Sequence, residues 1–181
     1  MRIISGKWRG RRLVAFKSDA IRPTTDRVKE TIFNMIGPDI VGASVLDLFA
    51  GTGSLGFEAL SRGAEHVLAV DKGADSKKIV EKNKSLIGVD EGYEFRSDEI
   101  IRFLTKEKRQ FDYIFVDPPF TLKMGAEVMK ALDQSAVLKP DTRIFIEYVK
   151  GEEIPEDFTH LLLEKAKNYG DKLMYSYIIK E

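Results

Sequence analysis

Apolar side chains along this chain fall into short, regularly spaced runs. Ser44 to Phe49, His66 to Val70 and Phe111 to Val116 are almost continuously apolar. Such runs mark strands buried on both faces. Shorter runs predict strands over 93–96 and 142–148. The stretches from about 54 to 61, 75 to 86, 98 to 105 and 125 to 133 read as helices. Strand and helix alternate, which implies a doubly wound, mostly parallel sheet of the Rossmann-like α/β class, covered on both faces. Two final strand-like runs, about 159–167 and 173–179, meet at Asn168-Tyr169-Gly170-Asp171. That is a hairpin signal, so the seven-stranded sheet is expected to end in an antiparallel pair.

The start of the chain has a different pattern. Arg2 to Val14 reads as two short strands around Gly6 and Gly10. Arg22-Pro23 breaks the pattern, because the residue before proline is pushed out of the helical region. Thr24 or Thr25 then caps a helix to about Ile36, with Val28, Ile32 and Met35/Ile36 on one face. The division expected is a hairpin arm over residues 1–21 and a wound-sheet domain over residues 22–181.

Composition narrows the classes. The chain has 181 residues, the size of one ordinary domain. Its 43% apolar content and 11 Phe exclude a disordered chain. With no Cys there are no disulfides, thiolate metal sites or Cys nucleophiles, which fits a cytoplasmic location. His66 and His160 lie far apart and give no metal-ligand spacing, so no metal is expected. No apolar run approaches a membrane span and no signal-peptide core is seen, so no membrane partner is expected. A monomer is the expected state.

Charge changes the picture more. The 29 Lys+Arg balance 29 Asp+Glu, yet residues 1–30 hold nine basic and three acidic side chains. A basic arm on an acidic body suggests a polyanion met by one face. A solvated basic hairpin without a partner explains the same count.

Two motifs carry chemistry. Gly51-Thr52-Gly53-Ser54-Leu55-Gly56 follows a strand and opens a helix, and Asp71 ends the next strand 20 residues after Gly51. The glycines let backbone approach a ligand, and the acid can accept from ribose hydroxyls. This pattern defines a nucleoside site, open to a nicotinamide dinucleotide or to S-adenosylmethionine. Asp47, inside the first strand, favours the latter: a carboxylate there can orient an ammonium and would repel a pyrophosphate. The chain length also leaves no room for a usual hydride-acceptor domain. The second motif, Asp117-Pro118-Pro119-Phe120, follows the fourth strand. A carboxylate and a rigid carbonyl can accept both hydrogens of a planar exocyclic amino group, freeing its lone pair for attack on a sulfonium methyl. Phe120 can stack on the base.

These pieces resemble the class I S-adenosylmethionine-dependent methyltransferases that act on exocyclic amino groups. More closely, the chain resembles the RsmD family, bacterial 16S rRNA guanine-N2 methyltransferases. The resemblance rests on Arg2 to Arg11, Arg22 to Asn34, Asp47 to Gly56 and Val116 to Phe120, and spans nearly the whole chain. It implies S-adenosylmethionine as cofactor and 16S rRNA, in the small ribosomal subunit or its assembly intermediate, as partner. The implied cofactor contacts are Arg22 and Thr24 near the methionine end, Asp47, Phe49, Ala50, Gly51, Gly53, Asp71 with Lys72, Asp98 with Glu99, and Asp117. Asp71 would hold the ribose and Asp98 the adenine amino group, although Asp98 also suits a helix N-cap and Arg22 a salt bridge across the arm. Asp117, Pro118 and Phe120 would carry catalysis. Arg2, Lys7, Trp8, Arg9, Arg11 and Arg12 would meet RNA, with Trp8 equally suited to packing the arm onto the body. Alternatives are an enzyme for DNA adenine N6 or protein glutamine, a nicotinamide-dependent oxidoreductase, and a non-catalytic RNA-binding module.

Overall fold

The computed structural model describes residues 1–16, 26–119, 121–152, 155, 157–170 and 172–181. Arg22, Thr24 and Phe120 lie outside the described residues, as does the expected boundary at residues 21 and 22.

The strands are β1 (Ser44–Leu48), β2 (His66–Val70), β3 (Tyr93–Arg96), β4 (Tyr113–Val116), β5 (Arg143–Val149), β6 (Leu161–Tyr169) and β7 (Lys172–Ile179). The helices are α1 (Asp26–Ile36), α2 (Ser54–Ser61), α3 (Ala74–Ile87), α4 (Ile100–Lys106) and α5 (Gly125–Asp133). The strands form one sheet in the order β3-β2-β1-β4-β5-β7-β6. The first five strands pair in parallel, and β7 is antiparallel to both β5 and β6. The sheet order therefore reverses between β1 and β4, which is where open α/β sheets bind ligands.

Strand alternation divides the core in two. Val45, Val67, Tyr113, Phe115 and Phe145 point to one side and pack with α1, α2 and α3. Leu46, Leu68, Ile114, Val116, Ile144 and Ile146 point to the other, against α4 and α5. Ile3, Trp8 and Leu13 join the first cluster, so the N-terminal segment is packed onto the body. No helix of the described residues is long and apolar enough to cross a membrane.

Three differences from the sequence pattern have physical causes. The two expected N-terminal strands shrink to a short antiparallel pairing around the Arg2–Arg12 bridge, in which Ile3 N donates to Arg11 O, Gly10 N to Ile3 O and Leu13 N to Met1 O. Much of the backbone pairing goes instead to side chains of the body: Ile4 N and Ser5 N donate to Glu58, Trp8 N to Ser61 Oγ and Val14 N to Asn83. Helix α4 starts at Ile100 because Glu99 caps it, accepting from Arg102 N at 2.9 Å. Strand β4 starts at Tyr113, because Phe111 turns aside to bond Val137 O and Thr142 Oγ1.

Candidate active site

The glycine loop leaves β1 and turns sharply into α2. Phe49 adopts φ 61, a left-handed conformation that costs energy for a side-chain-bearing residue and often marks a ligand site. Ala50 N donates to Val70 O at 3.2 Å, and Gly53 N to Ala50 O at 2.7 Å. Gly53 is the N-cap of α2 at φ 80, and a Cβ there would stand 2.6 Å from Phe57 and from Tyr93. Only glycine fits. Gly51 N donates to Asp71 Oδ2 at 2.9 Å, and Gly73 N donates to Asp71 Oδ1 at 2.7 Å. Asp71 is thus fixed at the end of β2 beside the loop, half-exposed, with Lys72 exposed next to it.

Asp47 lies beneath this loop rather than in its mouth. It is buried, and its Oδ2 accepts from Gly56 N at 3.0 Å. Burial pushes its carboxyl up to about 8; the Gly56 bond opposes this, and the charges of Asp117 and Asp71 add to it. Its immediate work is to hold the first turn of α2 against β1. Asp71 and Asp117, at the ends of β2 and β4, set negative charge beside the loop, which suits a cationic ligand.

Asp117 follows β4 directly, and Asp117 N donates to Leu48 O at 3.5 Å. Register pairs Leu48 with Val116, so the Asp-Pro-Pro turn and the glycine loop leave neighbouring strands at the same level. Asp117 and Pro118 are half-buried and Pro119 is exposed. The Pro119 carbonyl accepts from Leu122 N at 2.9 Å. Asp98 sits two residues past β3, where its Oδ1 accepts from Glu99 N and from Arg102 Nε. The Arg102 guanidinium, with the Glu99 amide, holds that carboxyl below its usual range. The helix cap is Glu99, not Asp98.

The basic arm is less free than its count suggests. Arg2 Nε donates to Asp26 at 3.0 Å, and Arg11 Nη1 donates to Ile87 O, the end of α3, at 2.8 Å. Lys7, Arg9 and Arg12 are exposed. Trp8 is packed in the core at 9% exposure, the placement that suits packing the arm onto the body. Sequence reasoning missed Asn83, buried on α3, whose Nδ2 donates to Thr52 O in the glycine loop and to Val14 O. Its position on the apolar stripe with Ser76, Val80 and Ile87 was the available signal. It also missed Tyr93, stacked on Phe57 with ring centroids 4.3 Å apart and its buried hydroxyl beside Gly53. A depression of about 860 Å³, lined in part by Asp133, Lys139, Arg143 and His160, opens at the opposite end of the parallel strands, away from both motifs.

A seven-stranded sheet in this order, with a glycine loop after β1, an acid after β2 and Asp-Pro-Pro after β4, defines a class I methyltransferase, whose methyl donor is S-adenosylmethionine. Comparisons with known proteins narrow this to one family. Residues 1–178 match the family model described as "Conserved hypothetical protein 95". The chain is 41% identical over 180 residues to ribosomal RNA small subunit methyltransferase D of Haemophilus influenzae, covering 97% of this chain and 93% of that one. It is 37% identical over 147 residues to the protein of the same name in Escherichia coli, covering 81% and 74%. Among solved structures, Escherichia coli yhhF superposes with a TM-score of 0.89 at 32% identity, covering 99% of this chain and 98% of that chain. The chain belongs to the RsmD family of rRNA methyltransferases.

Proposed function

We propose that this enzyme transfers a methyl group from S-adenosylmethionine to the exocyclic N2 of a guanine in 16S rRNA, within the small ribosomal subunit or its assembly intermediate. The observation that carries the reading is the register of Leu48 with Val116, which sets Asp117-Pro118-Pro119 level with the glycine loop. A base at one motif and a cofactor at the other would then face each other.

The residues present fit that cofactor. Asp71 is held by two backbone amides with its carboxylate at the mouth, suited to ribose hydroxyls. The Asp71 and Asp117 charges suit a ligand bearing a sulfonium and an ammonium, with Asp47 buried beneath the loop that would hold it. Asp98, two residues past β3, would serve an adenine amino group; we also assign Glu99, Lys72, Phe49 and Ala50 to the cofactor, and Arg22 and Thr24 to its methionine end. The bound cofactor supplies an activated methyl. Asp117 and the Pro118 carbonyl accept the two amino hydrogens and present the nitrogen lone pair to it, and Phe120 stacks on the base. Most of the rate would come from positioning, since the donor is already activated. The target base must be unpaired or flipped out to reach this turn.

Residues 1–21 we read as the RNA-meeting arm and residues 22–181 as the transferase domain. Lys7, Arg9 and Arg12 are exposed cations that would contact phosphate, with Arg2 and Arg11 exposed beside them. A ribosomal substrate places the enzyme in the cytoplasm.

The role of Asp117 has a direct test. Asp117→Ala should leave calorimetric affinity for S-adenosylmethionine within about threefold while lowering turnover roughly 100-fold or more, the scale of losing one group that contacts the reacting centre. Unchanged turnover would remove Asp117 from the chemistry.

A further inference from the structure

Glu58 is a charge buried in a helix that otherwise packs on all sides. It lies on α2 at 0% exposure. A buried carboxylate is costly unless compensated, and an apolar residue of similar volume usually serves stability as well or better. The compensation here has a direction. Glu58 Oε2 accepts from Ile4 N at 2.8 Å, and Oε1 accepts from Ser5 N at 3.1 Å and from Arg62 Nε at 2.7 Å. Lys29 of α1, also at 0% exposure, sits with Nζ 4.0 Å from Glu58 Oε2 and donates to Arg2 O at 2.6 Å. One turn further along α2, Ser61 Oγ donates to Ser5 O at 2.6 Å and accepts from Trp8 N at 3.0 Å, while Ser61 O accepts from Lys7 N at 2.7 Å.

Peptide groups of Arg2, Ile4, Ser5, Lys7 and Trp8 are thus gripped by α1 and α2. Hydrogen bonds to successive peptide groups fix register, which apolar packing alone does not. The contact is also close: a Cβ on Gly6 would fall 1.7 Å from Ser61 O. Arg9 and Arg12 follow immediately after the gripped stretch. The other end of α2 is the glycine loop, with Gly53 as its N-cap. At about 1.5 Å per residue, a single rigid helix roughly 12 Å long separates the two.

We propose that Glu58, balanced by Lys29, is a positioning residue for RNA: it sets the register of the arm on α2 and thereby the distance from Arg9 and Arg12 to the methyl donor at the start of the same helix. This rests on the RNA-methylating reading above. Glu58 touches neither cofactor nor base. Its effect should therefore fall on the KM for RNA rather than on turnover at saturation.

The test uses the full chain, with small-subunit particles from a strain lacking the gene as substrate. Three proteins are compared with wild type: Glu58→Gln, Ser61→Ala and an Arg9→Ala/Arg12→Ala control. A glutamine would turn an NH2 toward a backbone amide that needs an acceptor, would leave Arg62 without its counter-charge, and would leave Lys29 with Asp26, 3.8 Å away, in place of two carboxylates. The control should raise the particle KM and flatten its salt dependence. Glu58→Gln should raise that KM about tenfold, hold kcat and cofactor Kd within about twofold, and speed hydrogen exchange at Ile4 and Ser5. Ser61→Ala should move the same quantities less, and decides the matter if Glu58→Gln does not fold. Faster exchange at the gripped amides with an unchanged particle KM overturns the proposal. A fall in kcat or in cofactor affinity as large as the change in KM also overturns it, because the grip would then act through the glycine loop. If the control leaves KM unchanged, the reading of the arm as RNA-binding fails, and the positioning role fails with it.

Discussion

Asp47 shows how one side chain ties the site to the stability of the chain. Its ordinary pKa lies near 3.8 and burial lifts it to about 8, with Gly56 N donating to it and Asp117 and Asp71 close enough to add to the shift. Tyr93 faces it from β3, and the Asp47 charge in turn helps raise the tyrosine hydroxyl. A carboxyl with a raised folded-state pKa keeps its proton between about pH 4 and 8, where the unfolded chain has already released it. Stability therefore falls as pH rises through that window and levels off above it. An asparagine can accept from Gly56 N and does not titrate. Urea midpoints of Asp47→Asn, measured without cofactor from pH 5 to pH 8, should decline less steeply than those of wild type. Parallel pH profiles would mean that Asp47 does not carry the linkage. Among residues, the acids at strand ends were legible because a carboxylate in an apolar run has no packing reason to be there. Lys29 was not: by sequence it counts as one more cation of the basic start, and only the fold buries it against Glu58.

Helix α2 is where the elements converge. All eight of its residues are buried, its first turn carries the glycine loop and its last turn grips the arm. Gly56 permits this, since a Cβ would meet Val67 at 2.8 Å, Tyr93 at 2.9 Å and Asp47 at 3.2 Å. Gly56→Ala should lower stability by about 1–3 kcal/mol, the usual range for an overfilled core. Because the same displacement moves the loop, cofactor affinity should weaken along with Tm. A lower Tm with an unchanged cofactor Kd would separate α2 packing from the binding loop. At this scale the helix and its loop were legible from glycine spacing between two apolar runs, and the hairpin of β6 and β7 from its turn residues. The start of α4 was not, because Asp98 and Glu99 are both competent caps and only geometry chooses Glu99. The arm strands were overread for a related reason. Alternating residues around glycines suit a hairpin, but the acceptors for Ile4, Ser5, Trp8 and Val14 lie about 50 to 70 residues away in sequence.

Over the whole molecule, the sheet order brings the ends of β1, β2 and β4 together and so sets the glycine loop beside the Asp-Pro-Pro turn. Strand and helix alternation implied a wound, mostly parallel sheet; right-handed crossovers restrict its strand order to a few arrangements, and the fold chooses among them. The charge asymmetry was also visible, but its distribution was not. Arg2 and Arg11, although exposed, are engaged by Asp26 and Ile87 O, and Lys29 is buried against Glu58; Lys7, Arg9 and Arg12 are further exposed cations on a segment held against α2. The central claim is that this arrangement methylates a guanine amino group of small-subunit RNA. Its most direct test is transfer of labelled methyl from S-adenosylmethionine to small-subunit particles from a strain lacking the gene, followed by digestion and nucleoside analysis. The account predicts label in N2-methylguanosine from 16S rRNA. Label in any other nucleoside, or none at all, would contradict it.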